Sequence, residues 1–307
     1  MAPFLPSSPS PSNPGSFPPD TTTTIPIAVP PWTLKSKAWT FLYTDVENSN
    51  PPPQNPNNTP DALQSILPPG AYHPFETLHP SALQRLTNGD PQFQQAWLKA
   101  VMILRYSDSP VGPYDELILI PGRAVNPNTG KKDMRISTIY VSTDASVWNG
   151  RRNWNIPKHR ARFEFTPAGK DLAVRVYHPE DTSAPLDPKT PFFTALLQGS
   201  SLPKVPLPKL APLGVVQPPL AKSRWPPGIQ DTVIATDDPE NGRENPWLLA
   251  RPSFKGSWSL AYAHRLEAGE NTLQWHGDGI GFPNVKLWSA GTVFEGDIGF
   301  GVPEAVS

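Results

Sequence analysis

With 307 residues, 37% of them hydrophobic, the chain can build one large domain or two small ones around a sizeable core. A formal net charge of −1, with 17% charged residues, argues against nucleic acid or an anionic membrane as partner. The absence of cysteine excludes disulfides, thiol catalysis and cysteine-based metal sites. Forty-three prolines work against long helices, and ten tryptophans supply rings suited to cores and apolar pockets. The first residues lack the charged start and apolar run of a signal peptide, and no apolar stretch reaches the roughly 18 residues that span a bilayer. The expectation is a soluble, cytoplasmic protein.

In chain order, residues 1–31 are rich in Pro, Ser and Thr and too poor in large apolar side chains to fold, which predicts a disordered tail; a docking segment for a partner is the alternative. A strand is expected over Ala38–Tyr43, a polar Pro/Asn loop over Asn48–Thr59, and a short helix from Asp61 to Leu67, stopped by Pro68-Pro69-Gly70. Strand signals then dominate: Ala100–Tyr106, Glu116–Ile120 and Arg135–Val141. Arg160–Phe165 and Leu172–Tyr177 read as a hairpin. Residues 199–228 are again Pro-rich and read as an irregular insertion. Strands resume at Trp258–Ala263, Thr272–His276 and Val285–Trp288. Many short strands joined by Gly/Pro turns predict a mainly β (α+β) fold, an antiparallel barrel or sandwich with a few short helices. The expected organisation is a tail over 1–31 and one domain over 32–307.

Most familiar signatures are missing. The six histidines show no metal-ligand spacing, and the glycines of His276–Gly281 do not fit a dinucleotide fingerprint, so a tight turn is expected there. Asn57-Asn58-Thr59 matches a glycosylation sequon, idle in a chain that is never secreted. Two segments carry chemistry. In the first, Gly112-Pro113-Tyr114-Asp115-Glu116, an acid opens an apolar strand. The second runs from Gly150-Arg151 to Pro157-Lys158-His159 and sets one lysine at the mouth of a strand, among arginines and tryptophans. Lysine is a poor nucleophile while protonated, and only desolvation or a nearby cation frees such an amine near pH 7.

In order and spacing these segments resemble the acetoacetate decarboxylase superfamily, and most closely its fungal members. That family has a glutamate shortly after a Gly-x-Tyr turn, and further on Gly-Arg, six residues, then Pro-Lys. Tyr43-Thr44-Asp45 and Asp61-Ala62-Leu63 resemble the family's first strand and short helix. The likeness covers about residues 38–178. It implies an acetoacetate-decarboxylase-like antiparallel β-barrel in which Lys158 forms a Schiff base with a β-keto acid, so that no metal or organic cofactor is needed. It also implies Glu116 as the residue that positions or protonates substrate, and a homo-oligomer by family analogy. Two departures stand out. His159 replaces the family's second lysine, a place from which it could tune or shuttle protons. The family's arginine ahead of the first strand has no match, since Ser36, Lys35 or Lys37 falls there.

The expected activity is therefore a small-molecule enzyme, set in secondary metabolism, that decarboxylates a β-keto or polyketide-like substrate through an imine. Lys158, Glu116 and His159 are the catalytic candidates, and Tyr114, Trp148, Arg151, Arg152 and Trp154 the substrate-binding ones. Two other functions fit the same residues. A tryptophan-rich pocket can fold a polyene or terpenoid for non-covalent cyclisation, including cycloaddition, or can simply carry a hydrophobic ligand. Plainer roles also stay open: Lys158 as a solvated strand-end lysine, Glu116 as the partner of Arg151, Arg152 or Arg162, and Trp148 and Trp154 as core.

Overall fold

Burial alternates with period two along Trp32–Asp45: residues 32, 34, 36 and 38 are buried while 33, 35 and 37 face solvent, the pattern of a strand with one face on a core. This strand, β1, belongs to a computed structural model that describes residues 25–46, 67–84, 86, 92–180, 186–207, 213–222, 236, 245–266 and 273–306. Then come β2 (Phe93–Asp108), β3 (Tyr114–Val125), β4 (Lys132–Arg135) and β5 (Thr138–Val141). A helix, α1 (Asp144–Trp154), leads to β6 (Lys158–Arg160), β7 (Arg162–Ala168), β8 (Asp171–Tyr177) and β9 (Phe193–Gly199). The chain continues through β10 (Val205–Pro206), β11 (Val215–Gln217), β12 (Trp247–Ala250), β13 (Ser253–His264), β14 (Val285–Leu287), β15 (Ala290–Phe300) and β16 (Glu304–Val306). Among the described residues no helix is long and apolar enough to cross a membrane.

The expected mainly β architecture is present, but the sheet is not a closed barrel. Its hydrogen-bonded path runs β16-β12-β11-β4-β3-β2-β1-β15-β13-β9-β8-β7, and its two end strands do not pair with each other. Nor is it purely antiparallel: β11 runs parallel to β4, and β5 parallel to β6. The second pair follows from covalent connection, since a parallel neighbour needs a crossover and α1 supplies it. One core holds Phe41, Val101, Ile103, Leu117, Leu119 and Tyr140; a second holds Leu104, Tyr106, Tyr114, Ile118, Ile139 and Val147; a smaller third holds Ala124, Val216, Trp247 and Leu249. Along β2 and β3 consecutive residues divide between the first two, so both faces of the central strands are buried.

Several expectations change. Arg135–Val141 is two strands rather than one, because β4 and β5 pair with different stretches of β3. Residues 273–276 form bends rather than a strand, with Gly277 making an isolated bridge to Phe193. Within the Pro-rich stretch 199–228, β10 and β11 are regular. The loop 48–59, nearly all of the short helix expected from Asp61 and residues 1–24 of the tail lie outside the described residues. Residues 25–31, assigned to the tail, run against α1: Asn149 accepts from the Ala28 N–H at 2.8 Å and donates to Pro26 O at 3.0 Å, and Asn153 donates to Ala28 O at 2.7 Å. Those side-chain amides satisfy an extended segment that has no sheet partner.

Trp154 ends the helix wedged between Trp32 and Phe300, with ring centroids 5.0 and 5.6 Å away. Trp154→Ala is expected to destabilise the protein by about 3–5 kcal/mol, read as a lowered urea midpoint with an unchanged slope.

Candidate active site

The β5–α1–β6 crossover builds the site. Thr143 caps the helix, its hydroxyl accepting from the Ser146 N–H at 3.4 Å, and Asn155, left-handed at φ 54°, ends it. Ile156 and Pro157 then turn the chain into β6, where Ile139 pairs with Lys158. Ser146 and Gly150 are four residues apart and so share one helix face, the face the Lys158 side chain lies against. A Cβ at Gly150 would stand 2.5 Å from Cδ and 2.7 Å from Cε of Lys158, so only glycine leaves room for the lysine stem. Gly150 in the Gly-Arg motif thus has a steric role.

The amine ends in a closed polar cage. Lys158 Nζ donates to Glu116 Oε2 at 2.7 Å and to Ser146 Oγ at 3.1 Å, and lies 5.3 Å from the centre of the Tyr114 ring. Tyr106 donates its hydroxyl to Glu116 Oε1 at 3.1 Å, and its ring packs 4.6 Å from that of Tyr114. The side chains of Lys158 and Glu116 are 6% and 4% exposed, so this is an ion pair withdrawn from water. Burial first, and then the Glu116 carboxylate, push the Tyr106 and Tyr114 phenols well above their ordinary range, which keeps both as neutral hydrogen-bonding groups. A cleft of about 760 Å³ adjoins the cage; Tyr106 and Tyr114 line it together with Trp39, Arg105 and Leu172, while Lys158 and Glu116, which contact these tyrosines, do not line it.

His159 points the other way. Successive strand residues face opposite sides, so its ring lies in a separate buried cluster. It stacks on His73 at 4.2 Å, and its Nε2 is 2.9 Å from Glu76 Oε2. Arg151 holds the same carboxylate through two hydrogen bonds of 2.9 and 3.0 Å and also donates to Lys158 O at 3.3 Å. His178 lies edge-on to His73 at 6.0 Å. Burial, and then His159, lower the His178 pKa to about 4. Burial alone would raise Glu76, but Arg151 and the His159 hydrogen bond hold it down to about 2. Arg152 stacks on Trp148 at 5.5 Å.

Of the residues singled out by sequence, the structure therefore brings Lys158, Glu116 and Tyr114 together. His159 and Arg151 sit across the strand, and Arg152, Trp148 and Trp154 pack around the helix. Sequence reasoning missed Ser146 and Tyr106. Tyr106 carried a usable signal, since the turn between β2 and β3 sets Tyr106 opposite Tyr114 and Leu104 opposite Glu116. Ser146 carried none, because the helix itself was not expected. Among the described residues, no cluster of His, Cys, Asp or Glu is arranged to hold a metal ion.

No protein-family model matches the sequence, and no curated protein does. Solved structures do. The chain is similar to acetoacetate decarboxylase from Legionella pneumophila, at 12% identity and a TM-score of 0.50 over 94% of each chain. It is equally similar to an acetoacetate decarboxylase-like enzyme from Sphingomonas wittichii RW1, at 10% identity and a TM-score of 0.50, over 95% of this chain and 98% of that one. The shared property is the fold, which is acetoacetate-decarboxylase-like, as the motif spacing implied.

Two outcomes follow for the buried charges. Glu116→Gln leaves an unpaired ammonium in the interior and is expected to cost about 3–5 kcal/mol in urea unfolding, whereas Glu116→Gln with Lys158→Met regains most of that loss. Acid acts on the second cluster in two windows. The unfolded chain protonates His178 near 6.5 and the folded chain only near 4, so stability falls as pH drops between those values, by up to about 3 kcal/mol. Glu76 adds a further loss as pH falls from 4.5 towards 2. Urea midpoints measured from pH 7 to 3 check both steps, and His178→Asn should remove only its own share of the first, because burial also lowers His73, His159 and His276.

Proposed function

We propose that the protein is a small-molecule enzyme that uses Lys158 to form an imine with a β-keto or polyketide-like acid and decarboxylates it. The observation that carries this reading is the buried 2.7 Å contact between Lys158 Nζ and Glu116, beside a cleft large enough for substrate. The fold is also that of enzymes: the Legionella neighbour is a decarboxylase and the Sphingomonas neighbour a decarboxylase-like enzyme.

In this reading the ammonium passes a proton to Glu116, 2.7 Å away, once substrate has entered the cage. The freed amine attacks the keto carbon, and water leaves as the protonated imine forms. The bond between the α-carbon and the carboxylate then breaks, and its electron pair flows into the iminium, giving CO2 and an enamine. Protonation of the enamine carbon, with Glu116 as the nearest acid, and hydrolysis by water return the ketone and the lysine. Tyr106 and Tyr114 must rotate to admit substrate, since they line the cleft and the amine does not. His159 acts at one remove, through the Glu76–Arg151 pair that holds the Lys158 carbonyl.

A second reading has its own support. A volume of about 760 Å³ exceeds what a small keto acid needs and lies within the ~300–1,000 Å³ typical of drug-sized ligands. Non-covalent cyclisation of a polyene or terpenoid would use that room with Lys158 as an ammonium donor, and plain ligand carriage would need no chemistry. The narrower kinship with fungal members, a role in secondary metabolism and homo-oligomer formation belong to the same proposal through the motif resemblance, and cytoplasmic location and a single domain over 32–307 through composition and the strand pattern.

Borohydride added with a β-keto acid should leave a mass increment on the peptide containing Lys158, and none in Lys158→Ala. Glu116→Gln should slow turnover by about 10²-fold or more. An unlabelled lysine, with product formation surviving Lys158→Ala, would overturn the imine and favour cyclisation.

A further inference from the structure

The cleft contains one guanidinium, half exposed and only partly used. Arg105, on β2, donates from Nε to Asp115 Oδ1 at 2.9 Å, and its plane lies 4.2 Å over the Phe165 ring. These contacts hold one edge and one face of the group. Among the described residues its two Nη groups have no hydrogen-bond partner, and Arg105 lines the cleft with Trp39, Tyr106, Tyr114 and Leu172. The cleft's other cation differs: Lys37 pairs with Glu295 at 3.2 Å and sits 5.1 Å over the Trp39 ring. Glu295 also pairs with Lys204, so its one carboxylate already serves two ammoniums, and what sets Arg105 apart is the planar fork of its Nη edge rather than a surplus of charge.

We infer that the cleft is a subsite for the body of an amphiphilic acid, whose remote carboxylate takes the open Nη edge of Arg105 while its aromatic or polyene portion lies against Trp39, Tyr106 and Tyr114. A planar guanidinium oriented by one hydrogen bond and one ring contact offers two parallel N–H donors at its Nη edge, the geometry that matches a carboxylate. Asp115 shares the guanidinium at Nε and so tempers its charge, but it leaves the Nη edge clear. The carboxylate at Arg105 is not the one lost as CO2: a leaving carboxylate is hindered by a tight ion pair, whereas a remote one anchors the molecule. The inference rests on the reading of Lys158 only for which end of the ligand reacts; binding in the cleft stands without it.

Calorimetric titration of the full chain with 4-(naphthyl)butanoate and with its primary amide tests the subsite. The acid should bind about tenfold more tightly than the amide at low salt. Arg105→Gln should abolish that difference, Arg105→Lys should restore part of it, and Lys37→Gln should leave it in place. Equal affinities in the wild type, no binding of the acid at millimolar concentration, or a preference lost in Lys37→Gln rather than Arg105→Gln would overturn the inference. Borohydride trapping of the wild type with a β-keto acid, run beside the titration, separates the two claims. Acid preference without an adduct sinks the imine alone, and an adduct without acid preference sinks the anion subsite alone.

Discussion

A lysine and a glutamate meeting out of reach of water constrain everything around them. Neither charge could be buried alone, and their attraction offsets the loss of solvent only when geometry is close and the remaining hydrogen-bonding capacity is satisfied. Ser146 takes one proton of the ammonium, and Tyr106 serves the other carboxylate oxygen. Each of these partners comes from a different element: β6, β3, α1 and β2. The crossover helix between two parallel strands thus aims one serine and one gap at a single side chain, as well as connecting the strands.

The strand that delivers the lysine also separates two polar environments. Lys158 enters the cage with Glu116, while its neighbour enters a dry cluster of histidines anchored on Glu76 and Arg151. Arg151 spans the division by holding both the Glu76 carboxylate and the backbone carbonyl of Lys158. The lysine's backbone position therefore depends on a charge pair that never touches the amine. In the related pattern with two adjacent lysines, the same pleat would send the second lysine away from the first. A direct electrostatic role for position 159 on the amine is correspondingly weakened by geometry, whichever residue occupies it.

Much of the strand content was legible because proline and glycine punctuate the sequence and apolar residues alternate between them. The hairpin of β7 and β8, and the placing of Lys158 at a strand start, are local facts that short windows contain. The pairing of Lys158 with Glu116 was legible only through motif resemblance, since the two are far apart in sequence and their meeting depends on sheet register. The helix was not legible, for a clear reason. Its sequence, DASVWNGRRNW, contains glycine and two asparagines and has no apolar stripe, because the helix is buried on all sides and its polar groups are satisfied by the N-terminal segment rather than by water. Trp148 and Trp154 were ambiguous for the same reason: tryptophans around a buried helix look, in sequence, like tryptophans around a ligand. Whether the sheet closes was not legible, because period-two alternation reports strands but not whether the first and last of them meet.

The notch at Gly150 has an evolutionary consequence. The helix position and the strand position are coupled by volume, so they can only drift as a pair. A descendant that acquires a side chain at 150 has no room for a long one at 158, and a descendant that shortens 158 is released from glycine at 150. Such co-variation would distinguish lineages that keep the amine from those that have abandoned it, from aligned sequences alone and before any assay is run.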